Sequence, residues 1–231
     1  APLRYMPFMS RLTLIIFLFL VTLNSTGQQY SFKATSPIVK ATMQKAVVNA
    51  ERFITHTIPP DVYKEYFQLI ISLSAVMSDY ASYHYTPYMD DTISFVPGKY
   101  ELRYLIKIGK DTLTDSFVIP VDSFGHVDVD TSNFHYILDD LEAYRKLLTG
   151  QYKFDFNSVK QFIKKKDLKD YSIVFMNSMS TLNSKNYKTL KIFKHYWYVT
   201  EYKKGGYRTT YTIDPDTGKV TAKSEKVRSV A

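Results

Sequence analysis

A chain of 231 residues with no cysteine has no disulfide and no thiolate-held metal to staple it, so a packed hydrophobic core must hold it together. The same absence removes a cysteine nucleophile and a lipid-modified N-terminal cysteine. Material for a core is present. Twenty Tyr, 15 Phe and 1 Trp bring aromatic residues to 16%, and apolar residues make up 45% against 23% charged, the balance of a folding chain rather than a disordered one. Glycine is scarce, at 8 residues, which argues against Gly-rich nucleotide-binding loops.

The first segment reads as an address. Residues 12–23 form an apolar run of 12, too short for a membrane span of about 20 residues. Arg4 and Arg11 precede it, and the small residues Ser25-Thr26-Gly27 follow it, before Gln28. Charged start, short apolar middle and small-residue exit make residues 1–27 a secretory signal peptide, with Met9 as its natural start. The only Asn-x-Ser/Thr sequon, Asn24-Ser25-Thr26, leaves with it. A secreted chain without cysteine or a remaining sequon fits a bacterial periplasm or exterior. No later apolar run approaches 18 residues, so no membrane span is expected after signal removal.

The remaining chain divides by charge. Residues 28–130 carry 9 Lys and Arg against 12 Asp and Glu, and residues 131–231 carry 19 against 10, a net −3 followed by a net +9. The elements divide at the same place. Ser36 and Pro37 open a helix to about Thr55, with Ser as N-cap and Pro in the first turn. Pro59-Pro60 breaks it, and a second helix, apolar nearly all round, is expected from Asp61 through Tyr80. Two strands follow, Tyr100–Ile108 and Leu113–Val121, turning at Asp122-Ser123-Phe124-Gly125. In the second half Thr131 or Ser132 caps a helix ending at Gly150, supported by a Glu142–Lys146 pair. A shorter helix, about Asn157 to Leu168, turns Val159, Phe162 and Ile163 inward. Strands are expected at Tyr171–Met176, Leu190–Tyr202 and Tyr207–Ile213, with a final turn at Asp214–Gly218. The reading is an α+β fold, helices packed on antiparallel sheets. An N-terminal half, 28–130, and a basic C-terminal half, 131–231, would be related α-α-β-β units. Apolar-x-apolar-Asp…Gly-basic/His-Val closes the last hairpin of both, at Asp122 and at Asp214.

The segment Tyr196-Trp197-Tyr198 through Asp214-Pro215-Asp216-Thr217-Gly218-Lys219-Val220, with the helix before it, resembles PepSY-type domains over roughly the last 65 residues. Those domains end in a hairpin running into an Asp…Gly-Lys/Glu-Val turn. The same tail is similar to the end of NTF2-like immunity proteins, where an aromatic strand with Trp meets such a turn. The PepSY resemblance implies extracytoplasmic binding and the peptidase inhibition of propeptides, without catalytic residues. It departs from the pattern at Asn177–Leu190, a stretch of 14 residues rich in Ser, Asn, Thr and Lys, where a short connection would stand.

Signals for catalysis are missing. There is no Gly-x-Ser-x-Gly elbow and no Ser-x-x-Lys set with its companion motifs. No two of His56, His84, His126, His135 and His195 have the spacing that aims two rings at one metal, so they read as surface or helix-end residues. Asp214-x-Asp216-x-Gly218 has the opening of a calcium loop, but its glycine falls at the fifth rather than the sixth position, and a hairpin turn fits better. The expectation is therefore a chain without cofactor, metal or enzymatic activity.

Two groups stand out as binding candidates. Lys164, Lys165, Lys166 and Lys169 begin a basic belt continued by Lys185, Lys188, Lys191 and Lys194, suited to an anionic envelope component or an acidic protein, with no nucleic acid expected in an exported chain. Tyr80, Tyr83, His84, Tyr85 and Tyr88 form an aromatic cluster of the kind that binds sugars and peptides. The function read from this is an exported, non-enzymatic binding or inhibitory protein of the bacterial envelope or exterior. The alternatives are an NTF2-like or cystatin-like ligand-pocket or immunity protein and, further off, a small hydrolase.

Overall fold

A serine and two prolines set the first helix. In the computed structural model, which describes residues 30–34, 36–78, 88–108, 111–113, 117–128, 137–177 and 194–227, α1 runs Pro37–Thr57. The Ser36 Oγ accepts the Val39 amide at 3.2 Å, filling one of the orphan donors of the first turn. Val39, Met43, Ala46, Val47, Ala50 and Ile54 recur every three or four residues as its buried stripe. Ile58 and Pro59 end it, because proline cannot continue the i→i−4 ladder. Residues 33–231 form one compact unit, distinct from residues 1–32.

The second helix is much shorter than expected. α2 covers only Pro60–Tyr66. The chain then goes extended as β1 (Phe67–Leu69), makes a single 3₁₀ turn (Ile71–Leu73), and returns to a strand at β2 (Ala75–Met77). The all-round apolar pattern that suggested a helix arises because both strands are edge pieces of a sheet. Phe67 and Leu69 face the core with Gln68 outside, and the β-branched Ile70 and Val76 favour extended backbone. Ser74 fixes the switch: its buried hydroxyl donates to the Ile70 carbonyl at 2.8 Å and accepts the Arg103 amide at 3.0 Å.

The centre of this first sheet is β3, Lys99–Ile108. One of its edges pairs with β1 and β2, the other with β4 (Asp111–Thr112) and β5 (Phe117–Asp122), all antiparallel. Tyr100, Leu102, Tyr104 and Ile106 alternate into the core, as do Phe117, Ile119 and Val121 of β5. α1 lies against β3 and β5.

The basic half repeats the order of two helices followed by an antiparallel sheet. α3 spans Ile137–Leu148 and α4 Phe156–Lys166; the expected cap at Thr131 or Ser132 falls outside the described residues. Gly150 takes the positive φ of 69° that ends α3. Glu142 does reach Lys146 at 3.9 Å, but Arg145 holds both carboxylate oxygens at 2.7 Å, since its planar fork matches a carboxylate better than an ammonium does. Asp155 caps α4 by accepting the Ser158 amide at 2.8 Å. The second sheet is a meander in the order β6-β7-β8-β9, made of Tyr171–Asn177, His195–Lys203, Tyr207–Ile213 and Val220–Lys226.

Rings join the two halves. Phe67 and Tyr104 meet Phe117, Phe117 meets Tyr144 of α3 at 5.7 Å, Tyr144 meets Phe175 of β6, and Phe175 meets Trp197 at 4.7 Å. Trp197 is fully buried, and its Nε1 donates to the Phe154 carbonyl at 3.0 Å. The Phe175 amide also donates to Leu113, which stands beyond β4, at 2.7 Å.

The two similar hairpin exits have one local cause. The Asp122 Oδ1 accepts the amides of Phe124 and His126, and the Asp214 Oδ1 accepts those of Asp216 and Thr217. Gly125 and Gly218 supply the positive φ each turn needs, 84° and 72°.

Candidate functional site

Four of the lysines singled out in the sequence, Lys164, Lys165, Lys166 and Lys169, gather at one end of the second sheet. Lys164, Lys165 and Lys166 form the exposed last turn of α4. Three consecutive helical positions fan around more than half the circumference, so they cannot all turn inward, and cations suit the partial negative charge of a helix C-terminus. Asp167 caps the helix in the left-handed region, φ 54°, and Lys169 pairs with its carboxylate in full solvent exposure.

Strand register adds a part of this surface that sequence reasoning missed. The Tyr202 amide donates to the Asp170 carbonyl at 2.8 Å, which brings the β7–β8 hairpin beside the end of α4. Lys203, Lys204 and, on β9, Lys226 therefore join the same end, and Tyr171, Tyr202 and Tyr207 are exposed there. Lys226 lies over the Tyr207 ring with its Nζ 5.9 Å from the centroid. The local acids are largely engaged: Glu201 by Lys203 at 3.2 Å, and Glu225 by Arg208 and Lys223. Arg208 first and then Lys223 hold the Glu225 carboxyl below its ordinary range. Among the described residues Lys164, Lys165, Lys166 and Lys204 have no acidic partner. The Lys203-Lys204-Gly205-Gly206 tip was legible as a turn; its proximity to α4 depends on pairing between distant segments.

The belt does not continue through Lys194. Its ammonium sits between Asp214 at 2.9 Å and Asp216 at 3.0 Å, and those two carboxylates hold its pKa above the ordinary lysine range. The aspartates of the calcium-like loop thus take the chain's own lysine as their cation. Nearby Tyr152 is pushed up to about 12, first by burial and then by the Asp216 and Glu142 charges, so its hydroxyl stays protonated at neutral pH. Lys185, Lys188 and Lys191 lie outside the described residues.

Of the tyrosine cluster, Tyr80, Tyr83, His84 and Tyr85 lie outside the described residues. Tyr88 is described and exposed. It bridges to Ala75 and lines a cleft of about 370 Å³ with Leu73, Ala75, Met77, Glu101 and Arg103.

One histidine departs from expectation. His56 stands in the exposed last turn of α1 and His126 is exposed beside Asp122, as a surface or helix-end reading requires. His195 does not: it is 3% exposed in β7, with its Nε2 2.9 Å from the Oδ1 of Asp140, itself 6% exposed. Asn177, its partner across the β6–β7 ladder, donates to the same oxygen at 3.0 Å. The ring is enclosed by Tyr144 and Phe175. The physical reason is register: inward positions of β7 alternate through His195, Trp197 and Val199, which carries the ring inside to Asp140 of α3, at an angle that leaves the buried Nε2 without a hydrogen bond. Among the described residues no three His, Asp or Glu side chains gather as metal ligands.

No protein-family model, curated protein or solved structure matches this chain.

Proposed function

We propose that this chain is an exported, non-enzymatic binding protein that engages an acidic polysaccharide of the bacterial envelope or exterior through the end of its second sheet. The observation carrying the reading is the shared placement of Lys164, Lys165, Lys166, Lys169, Lys203 and Lys204 with the exposed rings of Tyr171, Tyr202 and Tyr207. Tyrosine faces stack on sugar rings while ammonium groups meet carboxylate or phosphate substituents.

Retention on a heparin matrix tests the site. The chain should elute only as salt rises, because exposed charges are screened over about 10 Å at 0.1 M. Changing Lys164, Lys165 and Lys169 to Gln should move elution to lower salt without altering the melting temperature. Retention indifferent to salt and to these substitutions would overturn the proposal. Export rests on the apolar run at residues 12–23. The exported product should begin at or near Gln28 on N-terminal sequencing, and a stable product that keeps residues 12–23 would defeat it.

A further inference from the structure

The first sheet carries a second candidate site, on the face away from α1. Between β1 and β2 the pairing along β3 is interrupted by the Ile71–Leu73 turn, and a cleft of about 370 Å³ lies beside Ala75, Met77 and Tyr88. That volume lies at the small end of ligand pockets, which run from about 300 Å³ upward. Its walls are pinned. The fully buried Ser74 accepts the Arg103 amide through its hydroxyl at 3.0 Å, and its carbonyl accepts the Met89 amide at 2.8 Å. Glu101 and Arg103, two residues apart on β3, both line the opening, and neither forms an ion pair with the other or with another described residue. Around them stand apolar groups left open to solvent, Leu73 at 45% and Tyr88 at 48% exposed, with Met77.

We propose that this cleft binds short peptides by their free ends, with Arg103 taking the carboxylate, Glu101 the ammonium, and Leu73, Met77 and Tyr88 the side chains. Alternate positions on one face of a strand stand about 6.7 Å apart. The amino and carboxyl ends of a dipeptide are about 6 Å apart, whereas those of a single amino acid are about 2.5 Å apart. Side chains reaching out from positions so spaced can meet both ends of a dipeptide at once. A guanidinium fork holds a carboxylate by two parallel hydrogen bonds, which fixes the direction in which the peptide lies. The site uses none of the lysines at the end of the second sheet and stands or falls independently of the polysaccharide reading.

Isothermal titration of the full chain with Ala-Leu dipeptide tests it, with N-acetyl-Ala-Leu and Ala-Leu amide as blocked probes. Saturable binding of Ala-Leu is expected, weakened about tenfold or more by blocking either end, since each block removes a charge-assisted contact. Arg103→Gln should abolish the preference for acid over amide, and Glu101→Gln the preference for free over acetylated amine. Both changes are polar for polar on a solvent face, and an unchanged melting temperature verifies that the variants fold. Absence of saturable Ala-Leu binding, or binding that ignores both substitutions in folded variants, would overturn the proposal.

Discussion

Trp197→Ala is expected to destabilise the protein by about 3–5 kcal/mol, the usual cost of truncating a large buried aromatic side chain. Three features place it there. Trp197 is fully buried, it is the meeting point of Phe156 at 5.9 Å and Phe175 at 4.7 Å, and its Nε1 holds the Phe154 carbonyl. Truncation would leave a cavity where α4 meets the second sheet and would strip a hydrogen bond from the 151–155 connection, which also reaches the last turn through the Phe154 amide and the Pro215 carbonyl, 2.8 Å apart. Thermal or denaturant unfolding measures the loss. In the folded parent, Trp197 emission should resist aqueous quenchers. Full quencher access, or an unchanged melting temperature in the variant, would contradict the packing described.

A second large effect is expected at His195. Replacing it with Leu keeps apolar volume in the slot between Tyr144 and Phe175 but removes the group 2.9 Å from the buried Asp140 carboxylate. Leaving a buried carboxylate short of a polar neighbour typically costs about 1–3 kcal/mol, and Asn177 still donates to the same oxygen. The double change His195→Leu with Asp140→Leu should cost less than the sum of the two single changes, because the ring and the carboxylate beside it leave together. A double-mutant cycle measured by denaturant unfolding decides it. Additive losses would show that the two side chains are stabilised separately.

These two sites mark where sequence reasoning succeeded and where it ran out. The start of the first helix was legible because it is written locally: Ser36 before Pro37 needs nothing from the rest of the chain. The Asp214–Gly218 turn was legible for the same reason, since the Asp carboxylate and the positive-φ glycine are close neighbours. The helix expected through Tyr80 failed because an all-round apolar run looks alike in a buried helix and in edge strands against a core. Only pairing with Tyr104–Ile106 distinguishes them, and that information lies far along the chain. The His195–Asp140 contact had no local signal at all; it exists because Asp140 and Tyr144 of α3 come to lie beside His195 of β7, far along the chain. The same holds for the binding surface. Lys164–Lys166 were visible as a charged run, whereas Lys203, Lys204, Tyr202 and Tyr207 join them only through the link from Tyr202 to Asp170.

The most direct test of the binding surface is the salt dependence of affinity for soluble heparin, compared between the parent chain and a Lys164→Gln, Lys165→Gln, Lys166→Gln variant. Contacts between exposed charges weaken as salt rises. The parent should therefore show a steep fall in the logarithm of affinity with the logarithm of salt concentration, and the variant a shallower fall from a weaker starting value. Equal slopes and equal affinities in the two proteins would contradict binding through this end of the sheet.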